Sequence, residues 1–150
     1  RPKSKRENRS KAVVMGMLER GGELRAHPIP SLWQAPRAVM DNVEPGTAIY
    51  SDGWPGYQKG LGGHVFHAWV NHKEGEYVRG RVHTQTIEGF WSLLKRQIYG
   101  IHHWVSRKHL GKYVAEATWR YNRRDVKDAP RLNEFITRLD GRLKYATLTA

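Results

Sequence analysis

The apolar positions follow two different periods, which divide the chain into a strand-forming first half and a helical second half. Continuous or alternating apolar runs predict four strands, at residues 11–18, 23–27, 47–51 and 65–70. Gly21-Gly22 is typical of a hairpin turn between the first two strands, and Pro28 and Pro30 are expected to end the second. A helix is expected next, beginning at Ser31 or only at Pro36.

From Thr84 the apolar period becomes helical. The first stripe, expected to end at Gly100, consists of Ile87, Phe90, Trp91, Leu94 and Ile98. A second helix is predicted after Ser106, with a stripe of Leu110, Val114, Ala117 and Tyr121. A short third helix is expected around residues 132–139, after an interruption at Pro130. Strands followed by helices indicate an α/β or α+β domain.

Charge narrows the choice of partner. The chain of 150 residues has the length of one domain, and it carries 26 Lys and Arg against 14 Asp and Glu, a formal net charge of +12. Such an excess favours an anionic polymer such as DNA as partner, although a basic surface alone would also produce it. Residues 1–10 are expected to form a basic, flexible arm.

Several classes of protein are made improbable by what the sequence lacks. It contains no cysteine, so we expect neither disulfides nor a zinc site, and a reducing cytoplasm fits. No apolar run approaches the ~20 residues of a membrane helix, so we expect no membrane partner.

Two acids are placed where they could meet. Asp52 directly follows the third predicted strand, and Glu88 lies early in the first predicted helix, with thirty-five residues between them. A strand-end aspartate and a helical glutamate can converge on a divalent metal ion. Carboxylate-bound metal pairs are common machinery for cutting and joining phosphodiesters.

The helix around Glu88 also predicts a polar face. Gln85, Glu88, Ser92 and Lys95 fall on one stripe, because they are spaced by three or four residues. A carboxylate for a metal and a lysine two turns later for a phosphate suit a DNA-facing surface. The alternative is a solvated face with incidental charges, and the position of Asp52 is what favours the functional interpretation.

At this point the chain resembles a known family. The segment from His83 to Arg96 is similar to the motif His-x-Asn-x-Ile-Glu-Gly-Phe-Trp-x-x-x-Lys-Arg of DDE-type transposases of bacterial insertion sequences, in particular the ISXO2-like group. Further similarity lies in Tyr50–Tyr57, Val70–His72, His102–His109 and Trp119–Arg124.

The resemblance implies a ribonuclease-H-like α/β fold of the retroviral integrase superfamily, with a mixed sheet flanked by helices. It also implies Mg²⁺ or Mn²⁺ as cofactor, and cleavage and strand transfer at transposon ends by a homo-oligomer on DNA in the bacterial cytoplasm, associated with the nucleoid. Asp52 and Glu88 would be the catalytic metal ligands, supported by His83, Gln85 and Lys95. Residues 11–150 would form the catalytic domain.

The chain departs from this family in three ways. The family's first strand and its catalytic aspartate have no counterpart after Arg1, so we expect an N-terminally truncated domain that is inactive alone. A zinc ribbon of full members is missing as well. Gln85 replaces a frequent Asn, so Gln85 stays a second candidate beside Glu88 for the third catalytic position.

The remaining candidates have plainer alternatives. His83 orients a carboxylate, contacts a phosphate, or only caps or packs. Trp54 and Tyr57 stack on a base or belong to the core. The predicted DNA contacts come from Lys95, Arg96, Arg120, Arg123 and Arg124, some of which would be merely solvated. Two rival functions remain: a non-catalytic nucleic-acid-binding module, and a ribonuclease-H-like nuclease that cuts without joining.

Overall fold

The computed structural model describes residues 11–139 as a mixed α/β domain with six strands and five α-helices. The strands are β1 (Val13–Leu18), β2 (Leu24–Ile29), β3 (Ala48–Ser51), β4 (Phe66–Trp69), β5 (Val78–Arg79) and β6 (Val82–His83). The helices are α1 (Ala35–Asn42), α2 (Pro55–Gly60), α3 (Gln85–Gln97), α4 (Arg107–Asn122) and α5 (Asp128–Thr137). The predicted basic arm lies outside the described residues.

The strands pair in three separate ladders. β1 and β2 are antiparallel, β3 and β4 are parallel, and β5 and β6 form a very short antiparallel pair. The resemblance implied one mixed sheet, whereas the described part of the chain contains three two-stranded sheets. The four predicted strands are confirmed as β1 to β4; β1, β3 and β4 are shorter than predicted, whereas β2 extends to Ile29.

The β1–β2 hairpin turns at Gly21, whose φ of 72° lies in the left-handed region that favours glycine. One prediction about the hairpin was wrong, because β2 continues through Pro28, which stands opposite Val14. Proline is tolerated there because β2 has no second strand neighbour among residues 11–139. The other side of β2 packs against α4 instead.

The hairpin separates two cores, since successive side chains of a strand point to opposite faces. Met15 packs in the first core, whose buried members are Met15, Ile29, Ala35, Val39, Leu61 and Val65. Val14 packs against the second core, whose buried members are Leu24, Phe90, Leu94, Leu110, Val114 and Ala117. The predicted helical stripes of α3 and α4 therefore form most of the second core.

Helix boundaries differ from the prediction in three places. α1 begins at Ala35 after a 3₁₀ turn, as the position of Pro36 indicated, and Ser31 makes no side-chain capping bond. Gly100 does not end the helical segment, because a π-helical turn continues from Ile98 to His102. Pro130 does not interrupt the helix. It lies in the first turn of α5, where a backbone N–H would have no intrahelical hydrogen-bond acceptor.

Two local elements were not anticipated. The segment after Asp52 contains the short helix α2, and a 3₁₀ turn forms at His72–Glu74. Within residues 11–139, no helix is long and apolar enough to cross a membrane.

Candidate functional site

A cleft of about 350 Å³ opens between β1 and β3. Residues 13–16 of β1 line it, and so do residues 50–52 at the end of β3. Both Asp52 and Glu88 line this cleft, and so does His72. The structure therefore brings the two predicted acids to one site, together with a histidine to which the sequence had assigned no role.

Glu88 is held by neighbours on its own helix and on the preceding loop. The Thr84 hydroxyl donates to Glu88 Oε1 at 2.5 Å, and His72 Nε2 lies 3.5 Å from the same oxygen. The side chain of Glu88 is 47% exposed, so these contacts orient it without removing it from solvent. Helix α3 is fixed beneath by Phe90 and Leu94, which are 1% and 5% exposed.

Asp52 is positioned by a backbone turn. It follows β3 directly and precedes Gly53, whose φ is 74°. A Cβ at Gly53 would lie 3.2 Å from the carbonyl oxygen of Val70, so the turn packs closely against the end of β4. Burial, and secondarily the charge of Asp52, raises the pKa of Tyr57, which also lines the cleft.

Beside Asp52, the two parallel strands are linked through their side chains. Ser51 Oγ lies 2.9 Å from Nε2 of His67, and Ser51 is 8% exposed. Burial lowers the pKa of His67, which favours its neutral form. This hydrogen bond ties β3 to β4 immediately before the candidate metal ligand.

The donors in the cleft suit a hard divalent cation in kind but not in number. Asp52 and Glu88 supply the carboxylate oxygens that Mg²⁺ and Mn²⁺ prefer. However, no group of three His, Asp or Glu side chains within residues 11–139 is placed to hold a metal ion. A third ligand would have to come from elsewhere.

Three supporting residues were predicted on or beside α3. Gln85 is exposed at the first position of the helix, and Lys95 is exposed further along it. His83 lies on β6, where its Nδ1 is buried and has no hydrogen-bond partner among the described residues. Their roles stay predictions. The sequence did not single out His72, which lines the cleft beside Glu88, although it ends the segment Val70–His72 that is similar to the family.

The predicted DNA-binding residues fall into two groups. Arg120 pairs with Glu116 at 2.8 Å, and Arg124 lies over the Tyr121 ring, 4.5 Å from its centroid. Lys95 and Arg96 are exposed and have no ion-pair partner within residues 11–139. Lys95 and Arg96 are therefore more available for phosphate contacts than Arg120 and Arg124.

Arg123 connects α4 to α5. Its guanidinium donates to Glu134 at 2.6 Å and lies over the Trp119 ring. The hydrogen bond from Arg123 holds the pKa of Glu134 below its usual range, and the same bond raises the pKa of Arg123. This side chain has a structural role whether or not it also contacts DNA.

Trp54 and Tyr57 pack against the first core, as the plainer interpretation suggested. Their rings meet edge to face with centroids 5.2 Å apart, and Trp33 covers Trp54 at 5.6 Å. The aromatic residues after Asp52 thus brace the turn that carries it.

Comparison with known protein families matches residues 1–122 to the ISXO2-like transposase domain. Comparisons with curated proteins and with solved structures gave no significant match.

Proposed function

Because this chain belongs to the family of ISXO2-like transposase domains, we propose that its β1–β3 cleft is part of a site that cuts and joins DNA at the ends of an insertion sequence. The observation that carries the proposal is that Asp52 and Glu88 line one cleft although thirty-five residues separate them. The reaction would be phosphodiester hydrolysis followed by transesterification.

Asp52 and Glu88 would hold Mg²⁺ or Mn²⁺ through their carboxylate oxygens. When bound, divalent metal ions activate the attacking oxygen and stabilise the leaving oxygen. In this chain, Thr84 and His72 would fix the orientation of the Glu88 carboxylate. Both residues contact its Oε1 atom near the start of α3. Gln85, one residue after Thr84, stays the second candidate for the third catalytic position.

The third ligand would arrive on an additional strand between β1 and β3. Support comes from the two sheet edges: β1 pairs only with β2 and β3 only with β4 within residues 11–139, and both free edges border the cleft. An extended segment there would satisfy both edges by backbone hydrogen bonds. It would also join two ladders into the mixed sheet of a ribonuclease-H-like fold.

Lys95 and Arg96 would supply phosphate contacts. Lys95 lies two helical turns after Glu88, on the same face of α3, and both cations are exposed. These contacts would bind DNA through charge, with little dependence on sequence.

The first experiment measures metal binding and cleavage. In the 150-residue chain, Mn²⁺ affinity followed by electron paramagnetic resonance should be weak and should fall further in Asp52→Asn and Glu88→Gln. In a version with an apolar strand carrying one aspartate joined ahead of residue 1, Mg²⁺-dependent cleavage of transposon-end DNA should appear. Glu44→Gln, which changes an exposed acid outside the cleft, is the matched control.

The same variants also distinguish the proposed function from its two rivals. The small number of acids in the cleft favours, as second candidate, a module that binds DNA without cutting it. Unchanged cleavage after Glu88→Gln, or absence of cleavage from every metal-binding version, would exclude the proposed site. Products that are cut but never joined to a target strand would indicate a nuclease instead.

A further inference from the structure

The corner between α3 and α4, residues 98–104, exposes three large apolar side chains within six residues. Tyr99, Ile101 and Trp104 are 70%, 71% and 68% exposed. Several such side chains close together are costly on a surface that meets only water, because their apolar area stays exposed to solvent. We call residues 98–104 the α3–α4 corner.

The corner is anchored rather than loose. Ile98 and Val105, on either side of the exposed residues, both pack against the second core. The His102 ring meets Tyr113 of α4 edge to face, with centroids 4.6 Å apart. The chain forms a π-helical turn, Ile98–His102, which is followed by His103 with a φ of 56°. A π-helical turn within a helical segment frequently marks a functional site.

The sequence around the corner carries only positive charge. No Asp or Glu occurs between Glu88 and Glu116. Five cationic side chains fall in that interval, Lys95, Arg96, Arg107, Lys108 and Lys112, together with three histidines. Apolar rings framed by cations suit a partner that has flat faces and negative charge, and they oppose contact between two copies of the same surface.

Helix geometry connects the corner to the cleft. Tyr99 follows Glu88 by eleven residues and lies in the π-helical turn that continues α3, so it stands about 16 Å further along the same helical segment. Lys95 lies between them on the same face as Glu88, and it has no ion-pair partner within residues 11–139. A stacked nucleic-acid strand covers that distance with about five nucleotides.

We propose that the α3–α4 corner is a stacking surface for unpaired bases of the DNA strand that leaves the cleft along α3. Tyr99 and Trp104 would stack on bases, and Lys95 and Arg96 would hold the phosphates between the cleft and the corner. Aromatic stacking tolerates any base, so the corner would recognise an unpaired strand rather than a sequence. The inference rests on the proposed function, because it requires DNA at the cleft.

The test uses the 150-residue chain and oligonucleotides that carry the fluorescent base 2-aminopurine in a single-stranded tail. Tyr99→Ala with Trp104→Ala should abolish the fluorescence change on binding and weaken single-strand affinity by roughly thirtyfold or more. Affinity for a fully paired duplex should change less than twofold. Trp104→Phe should keep most of the signal, and Phe66→Ala, which removes an equally exposed ring on β4, should leave it unchanged.

Three results would overturn the inference. Equal loss of single-strand and duplex binding would mean that the corner contributes only to folding or to overall charge. An unchanged fluorescence signal in the double variant would place the bases elsewhere. A shift in sedimentation coefficient without loss of signal would make the corner a contact between copies. Failure of the unaltered chain to bind either DNA at low salt would refute the proposed function itself.

Discussion

Glu88 and Asp52 line the same cleft, but different parts of the fold position them. Glu88 stands on the thirteen-residue helix α3, which is fixed by the buried side chains of the second core. Its carboxylate contacts Thr84 one turn earlier and His72 of the 3₁₀ turn at His72–Glu74. Its position therefore depends on helix packing that lies away from the cleft.

Asp52 follows the four-residue strand β3, whose pairing within residues 11–139 is confined to β4. Its direction is set by the turn at Gly53, by the packing of Trp54 and Tyr57 on the first core, and by the Ser51–His67 contact. The comparison indicates that changes in the second core should act on global stability. Changes near β3 should act first on the geometry of the cleft.

The largest expected effect comes from Phe90→Ala. This ring is 1% exposed and contacts Trp91 and Tyr121 in the second core, so its removal leaves a cavity under α3. The free energy of unfolding should fall by about 3–5 kcal/mol, measured by urea denaturation followed by circular dichroism. Phe90→Leu, which keeps most of the volume, should lose less and remain folded.

Phe66→Ala is the matched control, because the Phe66 ring is 74% exposed on β4. It should change the free energy of unfolding by less than about 0.5 kcal/mol. Equal losses in the two variants would mean that the second core does not anchor α3.

A smaller effect is expected from Gly53→Ala, which should disturb the turn that positions Asp52. The φ of 74° strains any other residue, and the added Cβ would lie 2.8 Å from the Trp69 ring. We expect a loss of about 1–2 kcal/mol in the free energy of unfolding and, in addition, weaker Mn²⁺ binding at the cleft. Gly46→Ala provides the comparison, since Gly46 has a φ of 79° but no atom within 4 Å of a Cβ.

The Gly46→Ala variant strains the backbone without crowding a neighbour, so it should leave the cleft intact. If both variants bind Mn²⁺ as the unaltered chain does, the turn does not position Asp52. If both lose it, the effect is one of global stability, and the two regions are not independent.

Much of the fold followed from local periods in the sequence. The i, i+3, i+4 stripes predicted α3 and α4, and the apolar runs predicted β1 to β4, because each pattern reflects burial of one face. The π-helical turn after Ile98 could not be predicted, since Ile98 and Val105 hold it by packing on a core assembled from distant elements. The local signal in this segment was Gly100, which indicated that the helix ends there.

The candidate site was predictable in its acids and incomplete in its surroundings. Asp52 and Glu88 were identified from a strand end and a helix face, and both line the cleft. His72 approaches Glu88 through a 3₁₀ turn whose path no local pattern encodes. The partner of Arg123, Glu134, was equally hidden because it lies on the next helix, whereas the i,i+4 spacing of Glu116 and Arg120 is a local signal that could have indicated their pairing.

The smallest expected effect is a dependence of stability on pH through His67. Burial lowers the pKa of His67 below the ordinary value of 6.5, so the folded chain binds a proton there less readily than the unfolded chain does. The stabilisation is present above pH 6.5 and is lost as the pH falls through the lowered pKa. Urea midpoints measured from pH 8 downward should show this loss, and His67→Gln should flatten it while the hydrogen bond to Ser51 is retained. Identical pH profiles in the two chains would mean that protonation of His67 costs nothing in the folded chain, so that its burial beside Ser51 does not disfavour the charged imidazole.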